Sequence, residues 1–129
     1  MKHKKCIILD SSAIFHLRDL TVLYSLQETA KIFITNYVLN EIKDPRAEAV
    51  LSILQPTIIE IDSREINELR EQYRNLSEAD ISIVLCAKKL STICEDITVM
   101  TDDSELTKIL TKLGFRVQKI FFPRKRLYR

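Results

Sequence analysis

The chain has 129 residues, a length that suits a single domain. Hydrophobic residues make up 46% and charged residues 29%, a balance that excludes a disordered or fibrous chain. No apolar run approaches the roughly 18–20 residues of a membrane span, and the basic start precedes too few apolar residues for a secretory signal. We therefore expect a cytoplasmic protein that does not associate with membranes.

Strands and helices are predicted to alternate along the whole chain. Apolar runs predict strands at 6–9, 31–35, 57–61, 97–101 and 115–120. Helical spacing of apolar residues predicts helices at 19–29, 37–43, 45–54, 64–75, 78–88 and 105–113. Alternation of this kind predicts an α/β fold with a parallel sheet covered by helices on both faces. Periodicity does not give the order of the strands.

The helix starts carry recognisable caps. Asp10-Ser11-Ser12 follows the first strand, and Asp102-Asp103-Ser104 follows the fourth. Thr35 or Asn36, Asp44 and Asp62 or Ser63 offer further caps, and Gly114 is the predicted stop of the helix at 105–113.

The cysteines predict free thiols. Cys6, Cys86 and Cys94 are odd in number and lack Cys-x-x-Cys spacing, so we expect a reducing compartment and no disulfide. Neither His3 nor His16 lies at ligand spacing from a cysteine, so a zinc site is not expected.

Acidic residues mark the strand ends and two helices. Asp10 and Asp102–Asp103 end strands, Glu41 lies on a helix, and Asp80 lies in the first turn of another. Strand ends of an open parallel sheet meet at one edge, and clustered carboxylates repel one another unless a cation neutralises them. Mg²⁺ and Mn²⁺ prefer oxygen ligands, so the pattern predicts a metal site with carboxylates about 4–8 Å apart. Taken singly, each residue could instead be a helix cap or a solvated surface group.

Four segments in this order resemble the PIN-domain nucleases. They are IILDSSAIF at 7–15, TNYVLNEIKD at 35–44, LSEADISIVLCAKKL at 76–90 and VMTDDSELTKILTKLGFRV at 99–117. The resemblance implies a three-layer α/β/α domain over residues 1–120, with about five strands and Mg²⁺ or Mn²⁺ as cofactor. It implies an endoribonuclease, a metal-dependent hydrolase.

The resemblance also assigns roles to single residues. Its last motif, Thr-x-Asp, fits Thr101 to Asp103, which selects Asp103 over Asp102. The catalytic quartet is then Asp10, Glu41, Asp80 and Asp103. The metal ligands are expected among these four and Asp102, which acts as an outer carboxylate. Ser12 and Thr101 are accessory residues.

Two subfamilies are open, with different partners. The segments after Glu41 and around Asp80 are most similar to the nuclease of small-subunit ribosome maturation, which implies a pre-ribosomal partner. The length of the chain suits a VapBC-type toxin, which implies an antitoxin partner, equally well. A homodimer is a further expectation.

Two competing hypotheses come from other classes of protein. One is an inactive PIN-like scaffold that binds RNA or protein, and the other is a phosphoacceptor domain. The phosphoacceptor is disfavoured because such domains carry a late strand-end lysine.

The end of the chain is basic. Residues 116–129 hold six basic and no acidic residues, and the rest of the chain is acidic overall. We therefore expect residues 121–129 to form a basic tail that engages RNA phosphates, or else a solvated segment. Phe121, Phe122 and Tyr128 could stack on bases or serve as core or dimer contacts. The RNA-binding candidates are Lys43, Arg46, Lys88, Lys89, Arg124, Lys125, Arg126 and Arg129.

Overall fold

A computed structural model describes residues 3–17 and 19–120 of the chain. Its centre is a five-stranded sheet in which all strands are parallel, in the order β3-β2-β1-β4-β5. The strands are β1 His3–Leu9, β2 Lys31–Thr35, β3 Thr57–Ile59, β4 Cys94–Met100 and β5 Arg116–Gln118. The predicted three-layer α/β/α fold with about five strands is confirmed.

Seven helices lie within the described ranges. They are α1 Ser11–His16, α2 Leu20–Thr29, α3 Asn36–Glu41, α4 Pro45–Leu54, α5 Ser63–Arg70, α6 Glu78–Leu90 and α7 Ser104–Lys112. Most begin at the predicted caps: Asp10, Thr35, Asp44, Asp62 and Asp103 are the N-caps of α1, α3, α4, α5 and α7. Gly114, at φ +92°, follows the end of α7 as predicted.

Strand lengths differ from the apolar runs because backbone pairing, and not hydrophobicity, defines a strand. Both β1 and β4 begin three residues earlier than predicted, in polar sequence. The polar pair Lys5 and Asp96 lies in register between them, so the ladder continues beyond the apolar core. The third strand is shorter than predicted, and the helix predicted at 64–75 ends at Arg70 and continues as turns.

The core places α6 against the middle of the sheet. This helix contacts β1, β2 and β4, and its Ile81, Ile83 and Val84 are almost fully buried. The central strands are buried as well, with Ile8, Leu9 and Val99 inaccessible to solvent. A strand covered on both faces reads as a continuous apolar run, which explains why β1 was recognisable in the sequence.

The prediction of three free thiols is wrong for two of the cysteines. Cys6 and Cys94, 88 residues apart in sequence, form a disulfide between β1 and β4, and Cys86 is free and buried. Spacing gave no sign of this pair because strand order brings the two residues together. Because two cysteines form a disulfide, the cysteines no longer indicate a reducing compartment.

In the described part of the chain, no helix is long and apolar enough to cross a membrane.

Strand order creates a switch point between β1 and β4. From β1 the chain builds outward through β2 to β3, then returns to the other side of β1 for β4 and β5. In open α/β sheets, ligands bind outside the carboxyl ends of the strands at the point where the direction of building reverses. The residues after Leu9 and Met100 therefore occupy the place where this architecture provides a crevice.

Candidate functional site

Asp10 and the segment Thr101 to Asp103 stand on the two sides of the switch point. Asp10 directly follows β1, and its backbone N–H donates to the carbonyl of Met100, at 3.1 Å, where β4 ends. Because β1 and β4 are neighbours, residues 91 positions apart in sequence meet at one sheet edge.

The Asp10 carboxylate is buried and held by hydroxyl and amide donors. Its Oδ2 accepts from the Thr101 hydroxyl at 2.6 Å and from the Ser12 hydroxyl at 3.4 Å. Its Oδ1 accepts from the backbone N–H of Ser11 at 2.7 Å. Ser12 and Thr101, predicted as accessory residues, thus both contact Asp10. These donors fix the orientation of the carboxylate toward the crevice edge.

Burial raises the pKa of Asp10 above its usual value of 3.8, because desolvation penalises the charged form. The hydrogen bonds from Thr101 and Ser11 act in the opposite direction, and the negative charge of Asp103 raises the pKa further. Asp10 is only 4% exposed, so water screens this repulsion poorly. A buried carboxylate next to a second one is a site that a cation would stabilise.

Asp103 begins α7 and is tied to the same hydroxyl. Its backbone N–H donates to the Thr101 hydroxyl oxygen at 3.0 Å, and its Oδ1 caps α7 by accepting from the N–H of Leu106 at 2.8 Å. Thr101 therefore connects Asp10 to Asp103 through one fully buried side chain. As a cap, Asp103 starts α7, and its position beside Asp10 lets its negative charge raise the pKa of Asp10.

Asp80, in the first turn of α6, is the third carboxylate of the group formed with Asp10 and Asp103. Ser77 and Asp80 form a capping box: the Asp80 N–H donates to the Ser77 hydroxyl at 3.1 Å, and the Ser77 N–H donates to Asp80 Oδ2 at 3.4 Å. Burial, then the charges of Asp10 and Asp103, raise the pKa of Asp80 from 3.8 to about 6. Three of the four predicted catalytic carboxylates are therefore electrostatically coupled.

Glu41 lies at the end of α3 and is exposed. It lines a cleft whose opposite wall is the start of α6, where Ser77 and Ala79 lie. Sequence reasoning missed the buried hydroxyl pair that joins these helices. Thr35 accepts from the N–H of Val38 at 3.1 Å and lies 2.7 Å from the Ser82 hydroxyl, which itself donates to the carbonyl of Ala79 at 2.6 Å. This chain of hydrogen bonds fixes α3 against α6, and so Glu41 relative to Asp80.

The donor set fits a hard divalent cation. Oxygen-only, negatively charged ligands at a crevice edge are what Mg²⁺ and Mn²⁺ bind. Within residues 3–17 and 19–120, however, no three acidic, histidine or cysteine side chains are already gathered as a ligand set. After the larger effect of burial, the charge of Asp103 raises the pKa of both Asp10 and Asp80, but all three side chains are held by caps and hydroxyl groups. Their joint ligation of a metal, with Glu41, stays a prediction.

Asp102 uses both carboxylate oxygens for contacts within the protein. Its Oδ1 accepts from the backbone N–H of Ile120, and its Oδ2 lies 2.9 Å from His16 Nδ1. Its own N–H donates to the Ser12 hydroxyl at 3.1 Å. His16, to which the sequence assigned no role, is thus a neighbour of the site. These contacts favour a structural role for Asp102 over the predicted metal ligation.

We expect Asp102→Ala to lower the free energy of unfolding by about 1 kcal/mol, because the Ile120 N–H loses its acceptor. Asp102→Asn should lose less, since its amide oxygen can still accept. Cleavage of RNA by Asp102→Asn should stay within about tenfold of the unsubstituted protein, a smaller loss than a metal ligand would cause. Urea unfolding and cleavage rates measure both quantities. A loss of cleavage as large as that of Asp103→Asn would make Asp102 a ligand.

The predicted RNA-binding cations are dispersed. Lys43 and Arg46 are exposed beyond the end of α3, and Arg46 lines an apolar groove between α2 and α4. Lys88 and Lys89 lie in the last turn of α6, about 13 Å along the helix from Asp80, and Lys89 pairs with Glu65 at 2.9 Å. The tail candidates lie outside the described residues: Phe121, Phe122, Arg124, Lys125, Arg126, Tyr128 and Arg129.

Comparison with known proteins gives one family. Residues 6–121 match the sequence model of a family described as a PIN domain, which covers most of the chain. No curated protein matches the chain. The matched range begins within β1 and ends after β5, so it includes most of β1, the other four strands and all four predicted catalytic carboxylates.

Proposed function

Because the chain belongs to the PIN-domain family, we propose that it is a divalent-metal-dependent endoribonuclease that hydrolyses phosphodiester bonds of RNA. One observation carries the proposal: burial raises the pKa of Asp10 and Asp80 beside the switch point of the sheet, and the negative charge of Asp103 raises both further. Such repulsion is costly without a counterion and becomes useful when a cation binds. A domain that served only as a scaffold would not need these mutually repelling carboxylates.

Each residue of the site has a distinct role in this proposal. Asp10, Asp80 and Asp103 would hold the cation, and Glu41 would complete the site from α3. A bound Mg²⁺ or Mn²⁺ supplies an activated water molecule and neutralises charge on the scissile phosphate. Thr101 and Ser12 orient the Asp10 carboxylate, and Thr101 also fixes the backbone of Asp103. As the resemblance to PIN-domain nucleases implies, water would attack so that the 3′ oxygen leaves, which gives a 5′ phosphate and a 3′ hydroxyl.

The test is cleavage of an end-labelled RNA that contains both single-stranded and paired regions. We expect cleavage with Mg²⁺ or Mn²⁺, none with a chelator, and products that carry a 5′ phosphate. Cleavage that persists in the chelator, or products with a cyclic phosphate, would contradict metal-dependent hydrolysis. RNA binding without cleavage under any metal would instead favour the inactive scaffold.

For the substrate, we propose a precursor of small-subunit ribosomal RNA. The proposal rests on the segments after Glu41 and around Asp80, which are most similar to the ribosome-maturation nucleases. Cleavage of a fragment that spans the 3′ end of the small-subunit RNA should be compared with cleavage of a set of transfer RNAs. Preference for the ribosomal fragment would support this role, and preference for one transfer RNA would point to a toxin.

The basic tail provides a separate prediction about affinity. Replacing Arg124, Lys125 and Arg126 by alanine should weaken RNA binding to a similar extent on unrelated sequences, because phosphate contacts carry no base identity. Each lost contact should flatten the slope of log K against log salt by about 0.7 on single-stranded RNA. The measurement is a salt titration of binding on two unrelated RNAs.

A matched control removes three cations elsewhere. Lys5 and Lys31 are exposed near the amino ends of β1 and β2, and Lys112 is exposed in the last turn of α7, so all three lie away from the strand ends that carry the carboxylates. Their replacement by alanine removes the same charge and should leave the slope nearly unchanged. Equal slopes for both triple variants would show that the tail makes no particular contact with RNA.

A further inference from the structure

A cleft of about 440 Å³ lies between α3 and the start of α6. The proposed hydrolysis assigns no role to this cleft beyond the contribution of Glu41. The lining residues are Tyr37, Asn40, Glu41, Ser77, Glu78 and Ala79. The volume falls within the range of sites that hold small molecules.

The cleft adjoins the candidate metal site. Glu41, which is predicted to belong to that site, lines the cleft, and Ser77, on the opposite wall, exchanges two hydrogen bonds with Asp80 through the capping box of α6. A polynucleotide whose scissile phosphate lies at the carboxylates must therefore place a neighbouring nucleotide at the mouth of this cleft. The Thr35–Ser82 hydrogen bond holds its two walls at a fixed separation.

The charges of the lining decide which part of a nucleotide can enter. Glu41 and Glu78 are acidic, and Arg70, the cation that pairs with Glu78, does not itself line the cleft. Phosphate would be repelled here, whereas an uncharged base would not. The lining is thus suited to a nucleobase, with the backbone left outside toward the cation.

Tyr37 supplies an aromatic surface that is already ordered. Its side chain is half-buried and packs partly against the hydrophobic core, while another part lines the cleft. A ring fixed before binding loses little conformational entropy when it stacks. Asn40, exposed on the next turn of α3, offers both a donor and an acceptor for the edge of a base.

We propose that this cleft is a subsite for one unpaired nucleobase beside the scissile phosphate, with Tyr37 stacking on the base and Asn40 hydrogen-bonding to its edge. The subsite rests on the proposed ribonuclease function, because the position of the scissile phosphate defines which base enters it. Its consequence is that the enzyme prefers single-stranded or bulged positions, where a base is free to leave its stack. Paired RNA should be cleaved poorly.

The test combines protein variants with abasic RNA. Short oligouridylates carrying one abasic residue at successive positions are bound to the Asp10→Asn variant, and Kd is measured by fluorescence anisotropy. We expect one abasic position to weaken binding by about 5- to 150-fold, the range for loss of one stacked base. Adding Tyr37→Ala should weaken binding of intact RNA to a similar extent, and the abasic residue should then cost nothing more.

Three further variants separate stacking from folding. Tyr37→Phe should restore the response to the abasic residue, because the ring remains. Asn40→Ala, on an exposed position, should weaken binding with no change in the melting temperature. Tyr24→Ala removes a tyrosine that is 53% exposed on α2 and does not line the cleft, so the abasic response should persist.

The outcomes distinguish the subsite from the nuclease itself. If Tyr37→Ala and Asn40→Ala bind and cleave as the parent does, the subsite is wrong while the proposed function stands. An abasic response that persists in Tyr37→Ala also overturns the subsite. If the parent binds RNA with this response yet never cleaves it, the subsite stands and the proposed function fails.

Discussion

Asp10→Asn is expected to abolish RNA cleavage, by about a thousandfold or more, while the protein stays folded. An amide in place of the carboxylate removes a charged ligand from the cation, and metal assistance contributes several kcal/mol to such reactions. The same change relieves the repulsion between Asp10 and Asp103. Cleavage rates and thermal melts without metal measure the two effects.

The hydrogen bonds of Asp10 set how much stability this change can gain. The carboxylate accepts from Thr101, Ser12 and the N–H of Ser11, and an asparagine keeps only one of its two acceptor oxygens. We therefore expect the relief of repulsion to be largely offset, with a melting temperature within a few degrees of the parent. A clear fall in melting temperature would mean that Asp10 acts mainly as the cap of α1.

Asp19→Asn is the matched control. Asp19 is also an N-cap, of α2, where it accepts from the N–H of Thr21 at 2.8 Å, but it is exposed and outside the carboxylate group. The substitution should leave cleavage unchanged. If it reduced cleavage as far as Asp10→Asn does, the loss would reflect a general effect of changing a capping aspartate.

Asp80→Asn is expected to stabilise the metal-free protein by about 2 kcal/mol near neutral pH, a value reduced for solvent screening because Asp80 is only partly buried. The pKa of Asp80 is raised to about 6 in the folded state, chiefly by burial and then by Asp10 and Asp103. Above that pH the carboxylate is charged in both states, and only the folded state bears its desolvation and repulsion. The amide keeps an oxygen for the Ser77 N–H, so the capping box survives.

The sign of this effect depends on pH in a defined way. Below pH 3.8 the group is protonated in both states, so the parent loses nothing and the advantage of the variant should vanish. Between pH 3.8 and about 6, the folded parent holds a proton that the unfolded chain releases, and its stability falls as pH rises. Urea unfolding of both proteins across this range measures the difference. A variant that is less stable at every pH would contradict the account.

Divalent metal should reverse the order of stability. A cation that binds the folded parent stabilises it by mass action, whereas the variant lacks one ligand and should gain less. Asp62→Asn, in the exposed capping box of α5, is the control for changing an aspartate of this motif. Its response to metal should equal that of the parent.

Local signals in the sequence predicted much of the fold. The apolar run before Asp10 and the run ending at Thr101 located the two central strands, because strands buried on both faces have no polar alternation. The capping residues located the helix starts, since a cap depends only on a few neighbouring residues. The motif Thr-x-Asp selected Asp103 over Asp102, and this choice stays a prediction. Asp103 raises the pKa of Asp10 and Asp80, and Asp102 contacts Ile120 and His16.

Features that depend on long-range packing were not predictable. The His16–Asp102 contact joins residues 86 apart, and the Thr35–Ser82 pair joins residues 47 apart. Both follow from strand order, which hydrophobic periodicity does not encode. The Cys6–Cys94 disulfide was missed for the same reason. The sequence carried no functional signal for Tyr37, because an aromatic residue on a short helix is usually a core residue. Only the cleft between α3 and α6 indicates that Tyr37 could contact a ligand.

Titration of Mn²⁺ into the protein, followed by electron paramagnetic resonance of the free ion, tests most directly whether the carboxylates form a metal centre. The experiment needs neither RNA nor a known substrate. We expect saturable loss of the free-ion signal with the parent, strong weakening of binding in Asp10→Asn, Asp80→Asn and Asp103→Asn, and no change in Asp19→Asn. Equal binding by the parent and all three site variants, or no binding by the parent, would contradict a metal centre at these carboxylates.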